Sequence, residues 1–203
     1  FKKSHDLYAY TIHINDDPSI ETKNDLDLKI RSIKRFRLKK DVEKINNLIN
    51  DAMSHTNHWQ FTPRPFKDFY FLVKDLRFLL IPDLILIAEH NNEPVGCVVA
   101  YPNFNLLTKK YRGRMTATKV IDLLLEKRKI KEAKLDIIAV SHHFSHRGIG
   151  KLLMQKILKT LHKKKFSRVE YSWVLDDNTP SRHLAEELGG KITKSYRIFE
   201  KSI

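Results

Sequence analysis

Apolar positions along this chain follow two rhythms. Leu38, Val42, Ile45, Ile49 and Ala52 step by four, three, four and three, which lines one face of a helix. Phe66, Phe69, Val73, Leu76 and Leu80 mark a second helix, ended by Pro82 and Asp83, and Leu153, Met154, Ile157, Leu158 and Leu161 mark a third. Between them lie short runs of β-branched and aromatic residues: Leu7–Ile14, Leu28–Ile33, Leu84–Ala88, Val95–Tyr101, Leu135–Val140 and Val169–Val174. Asn91 and Asn92 supply turn chemistry for a hairpin between the third and fourth of these runs. In the last run the alternation puts Val169, Tyr171 and Trp173 on one face. A helix from Pro180 to Leu188, capped by Asn178 or Thr179 and stopped by Gly189 and Gly190, and a closing extension from Lys191 complete an α/β pattern, α+β by some schemes.

With 203 residues the chain has the length of one domain with a small appendage. Hydrophobic residues make up 41% and charged residues 31%, which is a globular composition. The longest apolar stretch, Phe78 to Ala88, is broken by Pro82 and Asp83 and is too short to span a bilayer, so no membrane partner is expected. A single cysteine, Cys97, excludes an intrachain disulfide and a thiolate zinc cage and fits a reducing, cytoplasmic setting. The formal charge of +14 is uneven, because residues 1–27 hold three Lys against six acids. Such a field draws polyanions. The basic clusters lack interleaved aromatics for base stacking, so nucleic acid is not the expected partner.

The chemistry gathers at residues 142–153, HHFSHRGIGKLL, between a strand and an amphipathic helix. Gly148 and Gly150 let backbone approach a ligand, Arg147 and Lys151 add positive charge, and the first turn of a helix offers unpaired N–H groups to an anion. Phosphate is the ligand this pattern points to. His142, His143 and His146 have no carboxylate within the loop, so no metal set is assigned to them.

These residues resemble the acyl-CoA loop of the GNAT superfamily of acyltransferases, whose pattern is Arg or Gln, two residues, Gly, one residue, then Gly or Ala. Ser145 stands at the first position here. Asn178, Ser181, Leu184, Leu188 and Gly189 are similar to the family's later helix motif, with Ala185 where many members carry a Tyr thought to protonate the leaving thiolate. The resemblance implies a mixed central sheet of about six to seven strands flanked by helices, binding acetyl-CoA or another acyl-CoA. It implies transfer of the acyl group directly to a small-molecule or peptide amine. Ala139, Val140, Ser145, His146, Arg147, Gly148, Ile149, Gly150, Lys151 and Asn178 become the cofactor-binding positions, and the Val140 backbone N–H polarises the thioester carbonyl. For the base, Asp136 shares strand parity with Ile138 and Val140; Glu89 and a water chain are the alternatives. For the acid, Tyr171 or Tyr196 replaces the missing helix Tyr. His58 and Trp59 stand as candidates for the acceptor pocket, and residues 103–134 as a cover over it.

On this reading residues 1–27 are a strand plus acidic linker and the GNAT-like domain covers residues 28–203. Two-lobed bacterial GNAT-fold proteins resemble the chain in its first and last segments, so residues 1–14 read as the tail of an earlier domain. An idle GNAT fold that senses acyl-CoA or serves as a scaffold is the alternative to an active transferase, and a homodimer through the last strands is compatible with either.

Overall fold

A computed structural model describes residues 1–14, 26–56, 61–112, 116–127 and 129–201. His58, Trp59 and most of the acidic linker lie outside the described residues.

Seven strands form one mixed sheet: β1 (Lys2–His13), β2 (Lys29–Ser32), β3 (Ile85–His90), β4 (Glu93–Pro102), β5 (Glu132–Val140), β6 (Arg168–Leu175) and β7 (Lys191–Glu200). Their order is β2-β3-β4-β5-β6-β1-β7, with β5 and β6 the parallel pair. Asn91 and Asn92, at φ 51° and 67°, make the tight turn between β3 and β4 that the Asn pair predicts. β1 is hydrogen-bonded to β6 on one side and β7 on the other, so the segment read from sequence as lying outside the domain is an interior strand of its sheet.

Helices cover both faces. On one, α5 (Ile149–Lys163) buries Leu153, Met154, Ile157, Leu158 and Leu161 against β3, β4 and β5, as its 3.6-residue period requires. Truncating one of these leucines to alanine removes about 2–5 kcal/mol. On the other, α1 (Leu38–Ser54) brings Ile45 and Leu48 onto Ile85, Ile87, Cys97 and Ala139. Next to α1 packs α2 (Phe66–Leu76), while α3 (Asn105–Lys110) and α4 (Ala117–Glu126) occupy the long connection before β5. The last helix, α6 (Thr179–Glu187), begins at Asn178, whose Oδ1 accepts from the Ser181 N–H at 3.2 Å. Cys97 is fully buried, and burial pushes its thiol up to about 12, so it is packing rather than a nucleophile.

Two bulges overturn face assignments made by simple alternation. In β5, Ile137 pairs with Val99 and Leu135 with Ala100, leaving Asp136 as an extra residue. Leu135 therefore faces α5, but so do Ile138 and Val140, while Ile137 and Ala139 face α1. In β6, Tyr10 opposes Tyr171 and Tyr8 opposes Val174, so one residue of β1 faces two of β6. Val169, Tyr171 and Val174 enter the core, and Trp173 turns to the opposite face with 63% of its surface exposed.

Candidate active site

The register between β5 and β6 runs only from Glu132↔Arg168 to Leu135↔Tyr171, although both strands continue for several residues. Beyond that point they part. Ser141 donates its N–H to the Val95 carbonyl at 2.9 Å, so Gly96 and Val140 form a pair that does not exchange hydrogen bonds. The N–H and C=O of Val140 consequently face away from β4, into the gap that β6 vacates. A backbone edge bordered by a gap binds an extended polar chain by strand-like hydrogen bonds.

At the mouth of this gap stands the first turn of α5. Gly148 is its N-cap at φ 74°, a left-handed conformation natural to glycine, and no side chain caps the helix. The first intrahelical bond runs from Leu152 N–H to Gly148 O at 3.0 Å, so the N–H groups of Ile149, Gly150 and Lys151 have no carbonyl four residues back. No acidic residue lies in that turn. Such a turn favours an anion by dipole and by donor. Gly150 is required less strictly, since a Cβ there meets Ile138 and Val140 at an ordinary 3.8 and 3.9 Å.

Gly96 escaped the sequence reading and matters more to packing. A Cβ there would lie 3.0 Å from Ile149 and 3.2 Å from Leu153, so its absence lets the helix start settle onto β4. Asp51, at the end of α1, was missed as well. Its carboxylate accepts the His142 N–H at 3.1 Å and the Ser141 hydroxyl, pinning the start of the loop. Burial pushes that carboxyl up, but the two donors outweigh it and hold it below the ordinary aspartate value.

The remaining loop residues serve its shape. Ser145 donates its hydroxyl to the His142 carbonyl at 2.8 Å, His146 takes φ 60°, and Arg147 stacks on Phe144 at 5.6 Å. Lys151 pairs with Glu187 at 2.8 Å. Asp51, His55 and His142 bring ligand atoms within 4.8 Å of one another. The two imidazoles nevertheless stack at 4.2 Å and 13°, so their in-plane lone pairs do not converge on one ion, and the cluster acts as a clamp between helix and loop.

The proposed acid and base groups separate clearly. The bulge places Asp136 on the face opposite the Val140 side chain, so the parity argument that joined them fails. There its carboxylate lies 3.9 Å from Lys134 and beside the Tyr101 hydroxyl, whose pKa burial and that carboxylate push up. Beside it the Lys134 ammonium sits 4.9 Å over the Trp173 ring, and Tyr196 meets Trp173 edge-on at 6.1 Å. This half-open face, where the strands part, carries a carboxylate, an ammonium and an aromatic ring together. Glu89 is held elsewhere: it takes two hydrogen bonds from Arg31 at 3.0 Å and one from Lys44 at 2.9 Å, and is two strands away from β5. Burial pushes its carboxyl up, Arg31 and Lys44 outweigh this, and the net lowering makes it a poor base. Tyr171 lies in the core with its hydroxyl near Ser181, and burial raises its pKa. Such a phenol gives a hydrogen bond more readily than a proton. Ala185 is fully buried, and its carbonyl accepts the Gly190 N–H at 2.8 Å.

Among the described residues no helix is long and apolar enough to cross a membrane.

Comparison with known proteins agrees with this geometry. The chain is 29% identical to a bacterial ceramide synthase of Caulobacter vibrioides across all of its own length and 56% of that protein's. It is 26% identical to protein YghO of Escherichia coli, with 86% of this chain and 46% of the relative covered. It therefore spans about half the length of the curated relatives it matches. Among solved structures, a GCN5-related N-acetyltransferase from Sphaerobacter thermophilus superposes with a TM-score of 0.68 at 15% identity, covering 97% of this chain and 51% of that one. The putative acetyltransferase yncA from Salmonella typhimurium, solved with acetyl-CoA, gives 0.54 at 16% identity, covering 80% and 78%. The acetyltransferase (GNAT) family pattern matches residues 43–190, from α1 through the gap to the end of α6, and by that match the chain belongs to the GNAT acetyltransferase family.

Proposed function

We propose that this chain is the catalytic part of an N-acyltransferase that takes its acyl group from acyl-CoA and delivers it to a lipid-like amine. The observation that carries this reading is the parting of β5 and β6 beside an uncapped, glycine-initiated helix, with the Val140 N–H and C=O facing the gap. Acyl-CoA fits those groups: the α5 turn has unpaired donors and no acid for its pyrophosphate, the Val140 C=O accepts from its amide-bearing arm, and the Val140 N–H is left for the acyl carbonyl. When bound, it supplies an acyl carbonyl already activated as a thioester.

The protein's own residues do the rest. Gly148, Ile149, Gly150 and Lys151 present backbone N–H groups to the diphosphate, with Arg147 and His146 beside them. The Val140 N–H donates to developing negative charge, an arrangement that contributes about 3–4 kcal/mol in related sites. Asp136 receives the proton of the incoming amine, with the Tyr101 hydroxyl beside the carboxylate and Trp173 offering an apolar wall for the amine's carbon chain. Tyr171 holds its proton near Ser181.

The acceptor class follows from the relative named ceramide synthase, since a ceramide is the amide of a long-chain amino alcohol. The test is mass-spectrometric. Incubation with acyl-CoA and either a long-chain amino alcohol or an N-terminal peptide amine should yield the lipid amide with release of free CoA; acylation of the peptide alone would refute the acceptor assignment. Ala185, buried where many family members carry Tyr, favours a second reading in which the domain binds acyl-CoA without transfer. Tight binding with no amide formed on any amine would establish it.

A further inference from the structure

The described surface carries an apolar face that neither the core nor the gap accounts for. On α2 and the turn after it, Phe71, Leu72, Leu76 and Phe78 are 58%, 55%, 52% and 56% exposed. On α4, Ile121 and Leu125, one helical turn apart, are 59% and 69% exposed. Lys127, just past α4, donates to the Phe78 carbonyl at 2.7 Å, so the end of α4 is tied to the turn that follows α2. Both helices keep a buried or half-buried side as well: Phe69 packs against α1, and Leu123 is 2% exposed. The outward apolar residues are therefore additional to what anchoring these helices needs. Six large exposed apolar side chains on two helices tied by that bond exceed the scattered exposure normal for a monomer.

The charge around this face selects its occupant. Lys74 sits 4.5 Å over the Phe71 ring and Arg77 4.5 Å over the Phe78 ring, so cations flank the aromatic members. Among the described residues of 103–131, which contain α4, seven are Lys or Arg and two are acids. Aromatic and aliphatic side chains with basic neighbours are the composition of a helix face that lies in a membrane interface, with its rings at headgroup depth and its cations on anionic phosphates. A second protein would match an apolar face with fewer cations at its centre, and nucleic acid would leave the leucines uncovered.

We infer that α2 and α4 form a docking face for the surface of an anionic lipid bilayer, on which the chain lies without spanning it. This surface stands apart from the acyl-transfer reading, because it is defined by groups outside the gap, and it holds whether or not the acceptor is a lipid.

Vesicle co-sedimentation tests it without any activity measurement. The probes are vesicles of phosphatidylcholine alone and of phosphatidylcholine with phosphatidylglycerol, at low and high salt. The expected result is sedimentation with the anionic vesicles, weakened by salt and absent with phosphatidylcholine alone. The Ile121→Glu/Leu125→Glu variant should lose binding by roughly tenfold or more per side chain, from the lost apolar burial. Phe71→Ser/Leu72→Ser should give the same loss from the other helix, which guards against a folding defect in either variant. The inference is overturned if the chain stays in the supernatant with anionic vesicles. It is equally overturned if both variants bind as the unaltered chain does, which would make the attraction charge alone. Concentration-dependent dimerisation in vesicle-free sedimentation velocity, abolished by both variants, would assign the face to a second copy instead.

Discussion

The two faces of β5 are built by different means. Towards α5, Leu135, Ile138 and Val140 join a dry core with Leu153 and Ile157, and the groups that would hold the acyl donor are backbone amides placed by that packing. On the opposite face, past the edge of α1, Asp136, Lys134, Tyr101 and Trp173 stand half-open, and what they offer an acceptor comes from side chains. The bulge at Asp136 is the hinge between these designs, because it turns one carboxylate away from the core without disturbing the Val140 edge. On the proposed reading, one strand thus keeps a rigid donor side and leaves its acceptor side open to change.

Substitutions on each side of the bulge sharpen the contrast. The largest effect is expected from Asp136→Asn, which keeps the side chain's shape but removes the proposed base. The turnover number should fall by roughly 10²–10⁴ and the acidic limb of the pH–rate profile should disappear, with acyl-CoA affinity unchanged. An unaltered profile would move the base elsewhere. On the donor side, Gly96→Val should push on Ile149 and Leu153, already 3.0 and 3.2 Å from a bare Cβ. A loss of about 1–3 kcal/mol in denaturant unfolding, together with weaker acyl-CoA binding, would show that the loop is held by packing beneath it; full affinity would separate the two.

The smallest effect concerns neither face. The folded pKa of Glu89 lies below its unfolded value, so its contribution is present above the unfolded pKa of ~4.3 and is lost as pH falls through the folded one. Glu89→Gln should flatten that acid-side slope and lower stability at neutral pH by weakening the contacts of Arg31 and Lys44. Acyl transfer near neutral pH should be unchanged, which a matched melt and rate assay would check.

Much of the donor half was legible in the sequence because its cause is local. Helix α5 follows from five apolar residues at helical spacing, and the glycines at its joint mark its beginning to within two residues, Gly148 rather than Gly150 being the cap. Asn178 and Thr179 were both readable as caps, and the structure takes Asn178. The acceptor half resisted because alternation was carried through two bulges that nothing in the local sequence announces: one moved Asp136 off the face of Val140, the other turned Trp173 out of the face of Tyr171. Gly96 and Asp51 act on residues far along the chain, so only the folded sheet shows that one makes room for Ile149 and the other clamps His142. β1 read as a strand from its own residues, but its place between β6 and β7 depends on pairing partners more than 150 residues away.

Calorimetric titration with acetyl-CoA and with a long-chain acyl-CoA, comparing the unaltered chain with Gly148→Trp, tests the central claim most directly. Saturable binding that the tryptophan abolishes, in a variant that still melts cooperatively, is the predicted result. Equal binding by both proteins would remove the α5 turn from the donor site, and no binding by the unaltered chain would contradict the acyl-CoA assignment itself.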